Sequence, residues 1–299
     1  MSILVLGTVA LDTVKTPFGK RIEMLGGSAT HFAMAATLFT KVDLVAVVGD
    51  DFPKIYFDFL RKKGVNITSL HQQGGRTFRW RGEYKGDLNT ALTLETELGV
   101  LSFFRPKISE CQKNSRYIFL ANVDPDIQHY LLQIIHCPYF VGLDSMNYWI
   151  HHKRKSLLKL LKKVNIFVAN EAEARTISGE YNLLKAAKAL SSFGSKMVMI
   201  KKGEHGVLFY CDRFIFSLPA YPVAKIVDPT GAGDTFAGGF MGYLAKTNKI
   251  TELNIRRAIA YACVIASFNV EGFGLEKTSK LTLANVNNRF REYKKIINF

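Results

Sequence analysis

What constrains this chain most is an alternation. Short runs rich in β-branched and aromatic residues are apolar on both faces, and helical patterns separate them. The runs are Ile3 to Gly7 (ILVLG), Asp43 to Gly49 (DLVAVVG), Tyr117 to Asn122 (YIFLAN), Tyr139 to Asp144 (YFVGLD), Asn165 to Asn170 (NIFVAN) and Met197 to Lys201 (MVMIK). Apolar residues at helical spacing lie between them, as in Thr30 to Phe39, Pro53 to Lys63, Ile127 to Ile135 and Leu183 to Phe193. A strand that is hydrophobic on both faces must be covered on both, and parallel neighbours need crossover helices. The pattern therefore predicts an α/β fold with a doubly wound, mainly parallel sheet.

One region departs from it. Arg76 to Gly86 (RTFRWRGEYKG) alternates polar and apolar residues, as a half-exposed strand does, and Leu88 to Leu98 follows in the same style. With Thr13 to Leu25 these make a second, small sheet, either a lid or an ordinary edge hairpin.

At 299 residues, 48% of them hydrophobic, the chain is long enough for a large core. The start, MSILVLGTVALD, lacks the basic residues of a signal peptide. The uncharged stretch Leu25 to Thr40 is too short and too polar to span a bilayer. Cys111, Cys137, Cys211 and Cys263 show no metal or disulfide spacing, which suits a reducing, cytoplasmic setting. The net charge of +15 attracts anions, but no nucleic-acid module signature accompanies it. Its densest cluster, His151 to Lys163, carries Leu157, Leu160, Leu161 and Val164 at helical spacing and reads as a helix covering the sheet.

Polar residues recur just past the carboxyl ends of the runs: Asp12, Asp50 and Asp51, Asn122 and Asp124, Asp144 and Asn147, then Asn170, Glu171 and Glu173. Each alone reads as a helix cap. Together they mark the edge where open α/β sheets bind ligands. The stretch Val227 to Phe240, VDPTGAGDTFAGGF, places Gly231 and Gly233 at the start of a helix, where free N–H groups and the helix dipole favour an anion. Asp234 follows directly. It is either a first-turn acid interacting with the dipole or a base beside a phosphate cradle. Gly238, Gly239 and Gly242 then weaken the helix by roughly 1 kcal/mol each relative to alanine. That cost makes sense where the helix lies close against a neighbour or a ligand. No GxxxxGK[ST] motif is present.

The string DPTGAGDTFAGGF resembles the C-terminal signature of the ribokinase-like (PfkB) family of carbohydrate and nucleoside kinases. GGSATHFAMAA (Gly26 to Ala36) looks like its di-glycine motif, and NEAEA (Asn170 to Ala174) its Asn-x-x-Glu motif. KKGEHG (Lys201 to Gly206) resembles its nucleotide-side glycine loop, and ASFNVEGFG (Ala266 to Gly274) its adenine-pocket and cation segment. The resemblance covers essentially the whole chain, 1–299, with lid segments near 13–25 and 76–98.

The resemblance implies an ATP-dependent, magnesium-requiring kinase of a sugar or nucleoside. It makes Asp234 the base and Gly231, Ala232 and Gly233 the anion hole. Asp12, Gly26, Gly27 and His31 then bind the acceptor. Lys201, Gly203, Gly206, Asn269 and Gly272 join Asn170 and Glu173 around the nucleotide. Asn170 and Glu173 help place Mg2+ through water, and Asp228 and Thr230 are candidates for K+. A homodimer is left open.

Two positions depart from the family: His31 replaces its usual asparagine, and Ser28 stands where ribokinases and phosphofructokinase-like members have lysine. The GGS start looks more like adenosine kinases. Phe78, Trp80 and Tyr84 are candidates to stack on a base or sugar, or to form the lid's own core. A phosphorylated acceptor would need a cation from Lys15, Arg76, Arg79 or Arg81, and Asp12 argues for a neutral one. A sensor without turnover and a kinase of a phosphorylated sugar are the competing readings.

Overall fold

The computed structural model describes residues 2–86 and 88–298; position 87, inside the expected segment 76–98, lies outside them. The chain opens with β1 (Ser2–Leu6), then a hairpin of β2 (Ala10–Thr16) and β3 (Gly19–Gly26). Helix α1 (Ser28–Ala36), β4 (Lys41–Gly49), α2 (Lys54–Lys62) and β5 (Val65–Gln73) follow. A second hairpin, β6 (Arg79–Tyr84) and β7 (Ala91–Glu97), precedes α3 (Glu110–Lys113), β8 (Tyr117–Leu120), α4 (Pro125–Ile134) and β9 (Phe140–Asp144). Next come α5 (Asn147–His152), α6 (Arg154–Leu161), β10 (Ile166–Asn170), α7 (Glu171–Ser178), α8 (Leu183–Ser192) and β11 (Met197–Lys201). The chain continues through β12 (Val207–Cys211), β13 (Phe214–Leu218), α9 (Ala232–Thr247), α10 (Glu252–Asn269) and α11 (Leu283–Ile297).

The main sheet has the order β13-β12-β11-β10-β9-β8-β1-β4-β5. It is parallel from β11 to β5, and β12 and β13 pair antiparallel at one edge. All six runs expected from the sequence are strands of this sheet. From β1 the chain builds outward to β4 and β5, then returns to β8 on the other side. That reversal is a topological switch point, where a crevice opens at the carboxyl ends.

Strands β2, β3, β6 and β7 form a separate sheet of order β3-β2-β6-β7. Its pairs are antiparallel except β2 with β6, which run parallel. Segments 13–25 and 76–98 supply most of it, though β2 already begins at Ala10. Asp12 thus lies past the carboxyl end of β1, as expected, and inside a strand of the small sheet. There it pairs with Met24 of β3 on one side and Trp80 of β6 on the other.

The glycines of α9 are explained by its neighbours. A Cβ at Gly238 would strike the Phe32 carbonyl of α1, and one at Gly242 would sit 2.9 Å from Ala36 Cα. On another face a Cβ at Gly239 would approach Ala262 Cα of α10 to 3.2 Å. Helices α1 and α10 thus pack backbone to backbone on α9. The lysine-rich segment 151–163 forms two helices, not one, with the break at Lys153. Leu157, Leu160, Leu161 and Val164 are buried against the sheet, as their spacing predicts.

Candidate active site

A cavity of about 880 Å³ lies between the small sheet and the carboxyl edge of the main one. Thr8 after β1, Asn122 after β8, and Gly27, Ser28 and His31 of the α1 start line one part. Asn170, Glu173, Lys201 and Gly203 line another, with Thr230, Gly231 and Asp234 at the head of α9. Phe78, Trp80 and Tyr84 close it from the small sheet.

Two of the helix starts facing this cavity, those of α1 and α9, differ. At α1 the amides are spent. Ser28 N–H donates to Thr8 Oγ1 (2.9 Å), Ala29 N–H to the Thr8 carbonyl (3.0 Å) and Gly27 N–H to Asp12 Oδ2 (3.2 Å). At α9 the N-cap is Gly231 in the left-handed region (φ 73°), and no side chain caps the helix. Ala232 N–H makes a turn with the Pro229 carbonyl (3.1 Å), so Gly231 and Gly233 carry the open end. A helix start with uncapped donors attracts an anion. A start already capped beside a carboxylate does not.

Asp234 sits in the first turn of α9, open to the cavity and enclosed elsewhere. Burial pushes its carboxyl up to about 7, Asp144 adds repulsion, and Lys201 opposes the rise. On the acceptor side Asp12 is buried, and a Cβ on Gly26 would collide with its carboxylate. Burial raises it to about 7 against its bond from Gly27, with Asp228 and Asp234 adding to the rise.

Asn170 and Glu173 form a reciprocal cap on α7. Glu173 N–H donates to Asn170 Oδ1 (2.8 Å), and Asn170 N–H donates to Glu173 Oε2 (2.7 Å). The cap locks Glu173 in place while both residues line the cavity. Burial and then Asp144 push Glu173 up to about 8. Lys201 bridges the group: its Nζ is 2.9 Å from Asp144 Oδ2, and a Cβ on Gly233 would come within 2.8 Å of it. Burial works against the Lys201 charge, yet Asp144, Glu173 and Asp234 hold it above the ordinary lysine range. Asp144 is the member that sequence reasoning left unassigned. Its only signal was its place past a strand end.

His31 is buried, and burial lowers it to about 4, so it is neutral. Its ring packs on Gly231, where any Cβ would overlap it. Asn269 Nδ2 donates to the Thr230 carbonyl (2.8 Å), which leaves Asn269 Oδ1 as acceptor for Thr235 Oγ1 (3.0 Å) and His31 Nδ1 (3.3 Å). Asn269 thus lies beneath the α9 start, outside the cavity lining. Gly206 and Gly272 also lie outside it. Gly206 (φ 89°) turns the chain between β11 and β12, and Gly272 packs on Lys277. Gly26, Ala232, Gly233 and Asp228 stand behind the lining as well.

The buried Asp228 accepts from Thr230 N–H (2.9 Å) and Gly274 N–H (3.0 Å). The lid cations are engaged too. Lys15 pairs with Glu83 (2.9 Å), Arg76 with Glu97 (3.1 Å), Arg79 with Asp51 (2.7 Å) and Arg81 with Glu95 (2.9 Å). None of the four lines the cavity. Asp51 therefore serves the small sheet, and it also accepts from Thr77 Oγ1 (2.6 Å). Asp124 caps α4.

The small sheet touches both loops of the main body. Thr230 Oγ1 bonds Tyr84 Oη (3.3 Å), and Asn89 Nδ2 donates to Glu204 Oε1 (3.2 Å).

The family model for PfkB family carbohydrate kinases matches residues 19–281. The chain belongs to this family. It is 32% identical over 267 residues to the cytidine kinase of Thermococcus kodakarensis, covering 86% of this chain and 95% of that one. It is 30% identical to a deoxyribokinase of Salmonella typhi, covering 89% and 87%. A solved putative ribokinase II from E. coli, in complex with ATP and Mg2+, superposes with a TM-score of 0.76 at 18% identity, covering 97% and 99%. The protein is thus a phosphotransferase acting on sugar or nucleoside alcohols. Among the described residues no helix is long and apolar enough to cross a membrane.

Proposed function

We propose that this PfkB-family kinase transfers the γ-phosphoryl group of ATP to a primary hydroxyl of a neutral sugar or nucleoside, with Asp234 as general base. The observation that carries the reading is the pairing of a half-buried, proton-hungry Asp234 with the uncapped helix start at Gly231. Asp234 accepts the hydroxyl proton, the oxygen attacks the γ-phosphorus in line, and the bond to the β-phosphate oxygen breaks to release ADP. In this reading the Gly231 amide meets the charge that accumulates on the transferred group, and Ala232 and Gly233, one step behind the lining, support it through the helix start and its dipole.

Asp12 and Gly27 take the acceptor hydroxyls. A carboxylate with capped amides beside it accepts hydrogen bonds and repels phosphate. With Lys15, Arg76, Arg79 and Arg81 paired to acids, this favours the neutral acceptor over the phosphorylated one.

The residues present fit magnesium. Three acids, Asp144, Glu173 and Asp234, act on one another around a single lysine, leaving an excess of negative charge that favours a divalent cation. No three His, Cys, Asp or Glu side chains among the described residues are grouped to ligate a metal directly. Glu173 and Asn170 would hold it through water, with the phosphates supplying the remaining oxygens. Bound there, it would neutralise phosphate charge. The small sheet, bonded to both loops, acts as the lid that excludes water.

The names of the relatives support the acceptor classes, and the ATP and Mg2+ of the E. coli structure support the donor. Steady-state ADP release with ribose, fructose, adenosine, inosine, cytidine and fructose 6-phosphate tests the reading. A tenfold preference in kcat/KM for the phosphorylated sugar, about 1.4 kcal/mol, would overturn the neutral acceptor.

A further inference from the structure

Two features of the cavity are used by nothing in the transfer chemistry. The first is Trp80. It stands on β6 opposite Asp12 of β2 in register, and its ring lies on Gly82, where any Cβ would collide with it. Its indole N–H donates to Thr93 Oγ1 of β7 (3.2 Å). The ring is therefore fixed flat on the small sheet while lining the cavity. A strand gives up a side chain at Gly82 to make room for that platform.

The second is Asn122, on the carboxyl edge of the main sheet just past β8. Its carbonyl is held by Ser28 Oγ (3.1 Å), which fixes it beside the di-glycine loop. Its Oδ1 is buried and has no hydrogen-bond partner among the described residues. Its Nδ2 meets only Met146 Sδ, at 3.0 Å, and a thioether is a weak acceptor. Exchanging the two ends of the amide would still leave one polar atom unpaired. Native proteins pair such groups with protein, ordered water or a ligand. Asn122 and Met146 line the same cavity as Trp80 from a different wall.

We propose that Trp80, Asn122 and Met146 form a subsite for a planar heterocyclic base, so that the acceptor is a nucleoside rather than a free sugar. This rests on the phosphoryl-transfer reading above and names its acceptor class. The base stacks on the fixed indole. Its edge, a ring nitrogen beside an exocyclic amino or keto group, pairs with the Asn122 amide once that amide turns from its weak contact with Met146 and brings the enclosed Oδ1 to the cavity. Met146 supplies a soft wall that adapts to ring shape. A free sugar leaves the Asn122 amide unpaired and the indole uncovered, and sites built this way discriminate strongly.

The test is binding without nucleotide. The chain has two tryptophans, so a Trp149→Phe background leaves Trp80 as the reporter. Fluorescence titration with cytidine, uridine, adenosine and ribose should show at least one nucleoside quenching Trp80 and binding tenfold or more tighter than ribose. Asn122→Ala should lower that nucleoside's affinity at least tenfold and shrink its preference over ribose. Calorimetry should show a similar loss in Trp80→Leu and partial recovery in Trp80→Phe, with thermal midpoints verifying that each variant folds. The proposal is overturned if no nucleoside outbinds ribose, or if Asn122→Ala weakens ribose and nucleosides by the same factor. Tight nucleoside binding in a protein that transfers no phosphate would refute the transfer reading alone.

Discussion

Replacing Asp234 with asparagine should make the ligand-free protein more stable at pH 8, and by less than half as much at pH 5. The carboxyl is held at about 7 rather than an ordinary 3.8, first by burial and then by Asp144. Its folded-state value is raised, so its contribution to stability is greatest below pH 4 and is lost as pH climbs through about 7. At pH 8 the full penalty of the buried charge is at most about 4 kcal/mol. The carboxylate opens on the cavity and has Lys201 nearby, which brings the realistic figure to about 1–2 kcal/mol. Asparagine carries no charge and has nearly the shape of the protonated acid. For a chain of this size each kcal/mol moves Tm by about 2–4 °C. Thermal unfolding followed by circular dichroism should therefore show Asp234→Asn about 2–8 °C above wild type at pH 8. Equal Tm differences at the two pH values would refute the assignment of a carboxylate whose proton affinity is raised by folding.

The pH profile of kcat/KM should rise through an apparent pKa near 7, because the base must be ionised and the cluster of Asp12, Glu173 and Asp234 titrates together. A flat profile from pH 5 to 8 would contradict it. Glu173→Gln should raise the magnesium concentration needed for half-maximal turnover more than it changes KM for the acceptor; a wild-type magnesium titration would argue against that role. Gly238→Ala, which on helix propensity alone should stabilise by about 1 kcal/mol, should instead destabilise by about 1–3 kcal/mol because the new methyl meets the Phe32 carbonyl. Denaturant melts decide the sign.

The fold was legible where burial was two-sided. Ile3 to Gly7 and its five counterparts carry apolar residues on both faces because helices cover both, and each became a strand of the main sheet. β5, β12 and β13 escaped that reading because they lie at or near the sheet edges and expose alternate residues, as in the half-exposed β13. The residues that gather on the cavity were legible where motif and edge coincided, at Gly27, Asn170, Glu173, Lys201 and Asp234. Motif membership alone does not put a residue on the cavity wall. Asn269 lies within a nucleotide-side motif, yet its amide is consumed by Thr230, Thr235 and His31 beneath the α9 start. The tie between Asp144 and Lys201 links residues on strands separated by β10, and no local pattern announces a pair that distant in sequence.

The account turns on Asp234 as the base. The most direct measurement is turnover of Asp234→Asn with ATP and the preferred acceptor, alongside the ATP dissociation constant of the same variant. General-base catalysis contributes roughly 10²–10⁴-fold, so turnover should fall by that factor while ATP affinity stays within a few-fold of wild type. Turnover near the wild-type rate would contradict the mechanism at its centre.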